Sequence, residues 1–133
     1  MFKLFKRNKA KSGLTESQLK WNKMWELWTE GKIESPFEEM MTYQGEVNNG
    51  GHSQYFSNTE DVQKCISVLY GVLSPKLKIN LENAYDAYMR LEQDETDEEA
   101  ENILEECDNV YYDNEQDIIT VLEEYSEKNI ELD

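Results

Sequence analysis

Beyond its first 13 residues this sequence has little positive charge. Five of its 13 Lys and Arg are Lys3, Lys6, Arg7, Lys9 and Lys11, so residues 14–133 carry eight bases against all 29 acids, a net of −21. From Leu91 to the end, 18 acids face one base, Lys128. A surface of that sign repels nucleic acid, which argues against direct nucleic-acid binding, and attracts basic protein surfaces. Histidine is as scarce, His52 being the only one. A di-iron helical bundle needs a Glu-x-x-His pair from each of two helices, and Asn49 stands at that offset from His52. No metal site and no cofactor is expected, and His52 reads as a hydrogen-bonded structural residue. Cys65 and Cys107 are the only cysteines. They sit in apolar helical patterns, form no CxxC, and read as buried thiols of a reducing compartment. No apolar run approaches the ~18–20 residues of a membrane span. Lys3, Lys6 and Arg7 interrupt Phe2, Leu4 and Phe5, so Met1–Lys11 is no signal peptide, and a cytoplasmic location is expected. There is no GxxxxGK[ST] phosphate loop and no Cys-His or Ser-His arrangement, and nothing marks one carboxylate pair among the 29 acids for acid–base work. The expectation is a protein without enzymatic activity.

What is present is aromatic and helical. The hydrophobic fraction of 38% is low, but three Trp, eight Tyr and four Phe are not the composition of a disordered chain. Residues 1–13 read as a basic, mobile tail, with contact to an anionic membrane or to the acidic body as its other uses. Residues 14–133 read as one compact acidic domain. Thr15 and Gln18 form a capping box, Leu14 can staple to Leu19, and Gly31 supplies the stop. Between them Trp21, Met24, Trp25 and Trp28 form a stripe that reads as core, with an exposed edge for dimerisation or a partner as the alternative. Ser35-Pro36 and Ser74-Pro75 repeat a cap-plus-proline start, Thr96 to Glu99 is another capping box, and Asp113 opens a last helix. No segment alternates as a strand does. The fold class is therefore all-α, a single compact domain of about six helices with short connections.

Glu92–Asp108 holds ten acids in 17 residues. On a helix from about Asp97, residues Glu98, Glu101, Glu105 and Asp108 share one stripe, opposite Ala100, Ile103, Leu104 and Cys107. If the whole stretch were helical, at ~1.5 Å per residue it would carry one charge per ~2.5 Å. Duplex DNA carries one per ~1.7 Å of axis. Such a helix can present a DNA-like charge array to a DNA-binding protein; the plainer use of the same run is a solvated face that keeps the protein soluble.

The second constellation is Asn48-Asn49-Gly50-Gly51-His52-Ser53-Gln54-Tyr55-Phe56-Ser57-Asn58. Its glycines allow positive φ between helices, its amides can tie backbone groups together, and Tyr55 and Phe56 can anchor the corner. A structural turn is the first reading; a pocket in which Asn49, His52 and Gln54 converge is the second. With Glu46 and Val47 before it, this segment resembles the signature of a bacterial family of small acidic helical proteins, mostly of unknown function, that includes a DNA mimic. His52 stands where that signature more usually has Phe. The resemblance runs from about Trp21 to Ile130 and includes Val110-Tyr111-Tyr112-Asp113. It implies an all-helical domain, with a homodimer among its expected states. In the mimic, the acidic surface occupies a DNA-binding regulator and keeps it from its operator.

Three functions follow in order: an acidic module that sequesters a basic DNA-binding regulator through Glu98, Glu101, Glu105 and Asp108; an immunity-type inhibitor of a nuclease; and, last, a small-ligand or enzymatic site at the Asn49–Asn58 turn.

Overall fold

The computed structural model describes residues 13–133, and within them six α-helices follow one another without a strand. They are α1 Glu16–Thr29, α2 Phe37–Asn58, α3 Val62–Tyr70, α4 Pro75–Gln93, α5 Glu98–Asn114 and α6 Gln116–Asn129. The all-α expectation holds. Apart from Gly13, the basic segment expected as a tail lies outside the described residues. No helix among the described residues is long and apolar enough to cross a membrane.

The chain forms two compact units. The first contains α1 and the second half of α6. Thr15 caps α1 as expected: its hydroxyl accepts from the Gln18 N–H at 3.1 Å and its own N–H donates to Gln18 Oε1 at 2.8 Å. Gly31, at φ +72°, closes the helix. Its N–H donates to the Trp28 carbonyl at 3.0 Å, and the Lys32 N–H to the Leu27 carbonyl at 2.9 Å, the paired bonds of a Schellman stop. Met24 is buried, while Trp21, Trp25 and Trp28 are half-buried and stack edge to face at 6.3 and 5.4 Å. The tryptophan stripe, expected as core, is therefore core at Met24 and only partly covered at its three tryptophans. Lys20 lies 3.8 Å from both Glu16 and Glu127.

The second unit runs from Glu34 to Leu122 and is built on α2 to α5, with α4 and α5 forming its most extensive helix pair. Leu77, Leu81, Ala84 and Ala87 of α4 and Ala100, Leu104, Cys107 and Tyr111 of α5 are all buried. Pro75 opens α4 as expected, and Ser74 takes the N-cap position, but its hydroxyl makes no capping hydrogen bond. Three other boundaries differ from expectation. Helix α2 begins at Phe37 after Pro36, and Ser35 does not cap it, because its hydroxyl donates to Glu39 Oε2 at 3.1 Å. Asp97, not Thr96, caps α5: it accepts the Ala100 N–H at 3.0 Å, while Thr96 is occupied with Asp94 Oδ1 through both hydroxyl and N–H. Asp113 does not start the last helix. Helix α5 continues through it because Tyr111 is buried and Tyr112 is tied to the Val47 carbonyl, and Asn114 then covers the Val110 carbonyl at 2.8 Å. Cys65, expected buried, is half-buried; Cys107 is buried, and both are free thiols.

Candidate functional site

The Asn48–Asn58 segment is a sharp bend inside α2 rather than a loop between helices. Residues up to Asn49 and from His52 are helical, and the chain turns at Gly50 and Gly51. Gly51 has φ +76° and ψ −177°, a conformation open essentially to glycine alone. A Cβ there would also run into the Asp108 carboxylate of α5. Gly50 has a different need: a Cβ would collide with the Gln54 side chain one turn on. Gly51 lets the backbone of α2 lie directly against α5, and Gly50 leaves room for Gln54 beside it.

What the bend delivers is His52. The residue is wholly buried, and Asp108 Oδ1 receives both its backbone N–H at 2.9 Å and its ring Nδ1 at 2.7 Å. With Nδ1 facing the carboxylate, Nε2 is paired with the Tyr43 hydroxyl at 2.7 Å. Tyr43 in turn meets Tyr55 and Tyr111 edge to face at 5.0 and 5.4 Å. Burial, before any neighbouring charge, pushes the Tyr43 and Tyr111 phenols well above their ordinary range, and raises the Cys107 thiol to about 11. The corner is thus an aromatic core held by one buried polar chain, Asp108–His52–Tyr43.

Beside it, Glu115 Oε2 accepts from Gln44 at 3.2 Å, Asn48 at 2.5 Å and Tyr111 at 3.3 Å. Tyr112 donates to the Val47 carbonyl at 3.0 Å, and Asn58 reaches back across the bend to Glu46 at 2.7 Å. Asn49 is exposed and Gln54 half-buried, while His52 is committed to the core, so the three do not converge on one cavity. Tyr55 and Phe56 are buried and anchor the corner.

The acidic stretch is divided by the α4–α5 corner. Glu92 lies in the last turn of α4, Asp94 to Thr96 form a turn, Asp97 caps α5, and the rest lies on α5. Arg90 binds this corner through two parallel 3.0 Å bonds to Asp97 and a third to Glu99. The Ala100 N–H first, and Arg90 second, hold the Asp97 carboxyl below its usual range. Glu98, Glu99 and Glu101 occupy the first turn of α5, where the helix dipole favours negative charge. The structure brings Glu98, Glu101 and Glu105 together as an exposed row, and no salt bridge among the described residues involves them. Asp108, predicted on the same row, is half-buried and faces His52. Helix α5 carries seven acids and no base in 17 residues. At ~1.5 Å per residue that is one charge per ~3.6 Å, close to the ~3.4 Å of a single DNA strand.

Reading the sequence alone missed the Asp108–His52 contact and the part played by Glu115 and Gln44. One signal was there to find: Asp108 lies four residues after Leu104 and three before Tyr111, both buried, which puts it at the border of the packed face.

The class these features define is an all-helical protein organised around a glycine-bent helix, with an acidic helix docked on the bend. A family model described as DMP19-like protein matches residues 40–129, a span that contains both the bend and α5, and the chain belongs to that family. Neither the curated proteins nor the solved structures offer a match.

Proposed function

We propose that this chain is a non-enzymatic binding module that offers the exposed face of α5 to a basic DNA-binding protein in place of DNA. The observation that carries this reading is the row Glu98, Glu101 and Glu105 on a helix with no base of its own. The row is held in place from behind: Leu104 and Tyr111 are buried, and Asp108 is fixed at the glycine bend. A preorganised row of carboxylates loses less on binding than a mobile acidic tail does. Like charges one turn apart also cost a helix a few tenths of a kcal/mol each. Ordinary solubility does not require that cost, and a role in binding accounts for it. Membership of the DMP19-like family and the resemblance to a DNA mimic support the same reading.

In use, each carboxylate takes the place of a phosphate opposite a partner's Lys or Arg. The complex then weakens steeply with added salt, as protein–DNA complexes do. The test is affinity capture from the source cell's lysate at low salt, with separate elution by a salt step and by excess duplex DNA. One DNA-binding protein released by both is the expected result. The doubly reversed Glu101→Lys, Glu105→Lys chain should fold normally and fail to capture it. Recovery of a nuclease instead would identify the inhibitor of the immunity type. Capture undiminished by the double reversal would remove α5 from the interface.

A further inference from the structure

A cavity of about 440 Å³ opens where α2 meets the corner leading to α3, away from the elements that carry the α5 row. Glu38, Glu39, Glu46 and Glu60 line it together with Tyr55 and Cys65, and its lining has no Lys or Arg. Three of these carboxylates are partly engaged: Glu38 accepts from Thr42 at 3.0 Å, Glu39 from Ser35 at 3.1 Å through Oε2, and Glu46 from Asn58 at 2.7 Å. Two polar atoms are not. The Tyr55 hydroxyl and Glu39 Oε1 are buried with no hydrogen-bond partner, although Tyr55 is only 1% exposed. Native interiors rarely leave such groups unpaired, and a buried hydroxyl in the wall of a cavity calls for a partner inside it.

The chemistry of that partner follows from the donor set. Carboxylates accept only, and a phenol oxygen both accepts and donates, so the complement is a cation rich in N–H donors. A single metal ion does not fit: no three His, Cys, Asp or Glu side chains among the described residues converge as ligands would. Four negative groups spread around one space of this volume suit positive charge that is itself spread along a molecule. Burial raises the Tyr55 phenol and the Cys65 thiol, and the charges of Glu39 and Glu38 raise both further, so those charges act on the cavity wall.

We infer that this cavity binds an extended organic polycation of the alkyl polyamine class, with one ammonium group donating to Glu39 Oε1 and to the Tyr55 oxygen. The methylene stem lies along the cavity, and the remaining ammonium groups face Glu38, Glu46 and Glu60. The site belongs to α2 and its corner and is independent of the α5 face.

Calorimetric titration of the whole chain with spermidine at low ionic strength tests it, with putrescine as the shorter probe and Mg²⁺ as an inorganic control. The expected result is saturable one-site binding of spermidine, weaker binding of putrescine, and no displacement by Mg²⁺ at matched ionic strength. Glu39→Gln should weaken spermidine roughly ten-fold and Tyr55→Phe several-fold, because each removes one charge-assisted hydrogen bond. Tyr55→Phe keeps the fold, since the hydroxyl it removes has no partner within the protein, and thermal melts of both variants confirm that they are native. The charge-matched control Glu105→Gln should leave the affinity unchanged. Heats that do not saturate, an equal loss in that control, or full affinity in Tyr55→Phe would each overturn the assignment.

Discussion

Asp108 and Glu105 are three residues apart on α5 and carry the same charge, yet the protein uses them in opposite ways. Asp108 is half-buried and accepts two hydrogen bonds from His52, each under 3 Å. Glu105 is exposed and has no salt-bridge partner among the described residues. One edge of the helix spends its carboxylate on folding, and the other leaves its carboxylates in solvent. The comparison teaches that acidity in this chain is not one property. A carboxylate turned inward replaces the water it loses with fixed N–H groups, and it becomes costly to remove. A carboxylate turned outward keeps its hydration and contributes little to stability, so it is available to a partner.

The contrast breaks most severely at Gly51. Gly51→Ala forces a β-carbon into a left-handed backbone position and into the Asp108 carboxylate. A loss of about 3 kcal/mol or more is expected, read by urea denaturation. Glu105→Ala in the same assay should stay within about 0.5 kcal/mol of the parent. Next comes Asp108→Ala, which strands the buried N–H groups of His52 and should cost about 2–3 kcal/mol. Asp108→Asn should cost less, because its amide oxygen can accept both bonds. Equal effects from the two substitutions would mean that the carboxylate's charge, and not its geometry, holds the corner. For the outer edge, Glu101→Lys with Glu105→Lys should change stability by no more than about 0.5 kcal/mol while abolishing capture of a basic partner.

The smallest effects appear as pH dependence. The folded pKa of Asp97 is depressed, so its contribution is present above about pH 4 and is lost as pH falls through the folded value. Arg90→Ala should flatten that acid limb in a series of melts. Tyr43 and Tyr111 are raised, so the stability they carry is complete below about pH 10 and falls as pH rises towards their folded values. Phenolate absorbance and loss of helical circular dichroism should therefore rise together on the alkaline side. Phenolate appearing before any loss of helix would show that the aromatic corner opens locally first.

The sequence by itself determined which segments are helices and which sides of them are apolar. Thr15 with Gln18, Gly31, and Pro75 at the first position of α4 set three helix boundaries because these signals are local chemistry, complete within a few residues. The buried positions of α4 and α5 were legible for a similar reason: helical periodicity is a property of a single segment. The missed boundaries came from competition that the pattern does not display. Thr96 lost the cap to Asp97 because Asp94 had already taken its hydroxyl and N–H, and Asp113 stayed helical because Tyr111 and Tyr112 were held from α2 and the core.

Only the tertiary structure decided what each acid and each polar turn residue does. The Asn-Gly-Gly run announced a change of direction, but not that Gly51 would bring its backbone against Asp108, 57 positions later in the chain. Nor did it show that His52 would turn inward to join Asp108 to Tyr43, or that Tyr55 would line a cavity among glutamates. The physical reason is one of range. Helix formation and capping are settled by neighbours in sequence, whereas desolvation and the pairing of buried polar groups depend on what other helices bring to the same place.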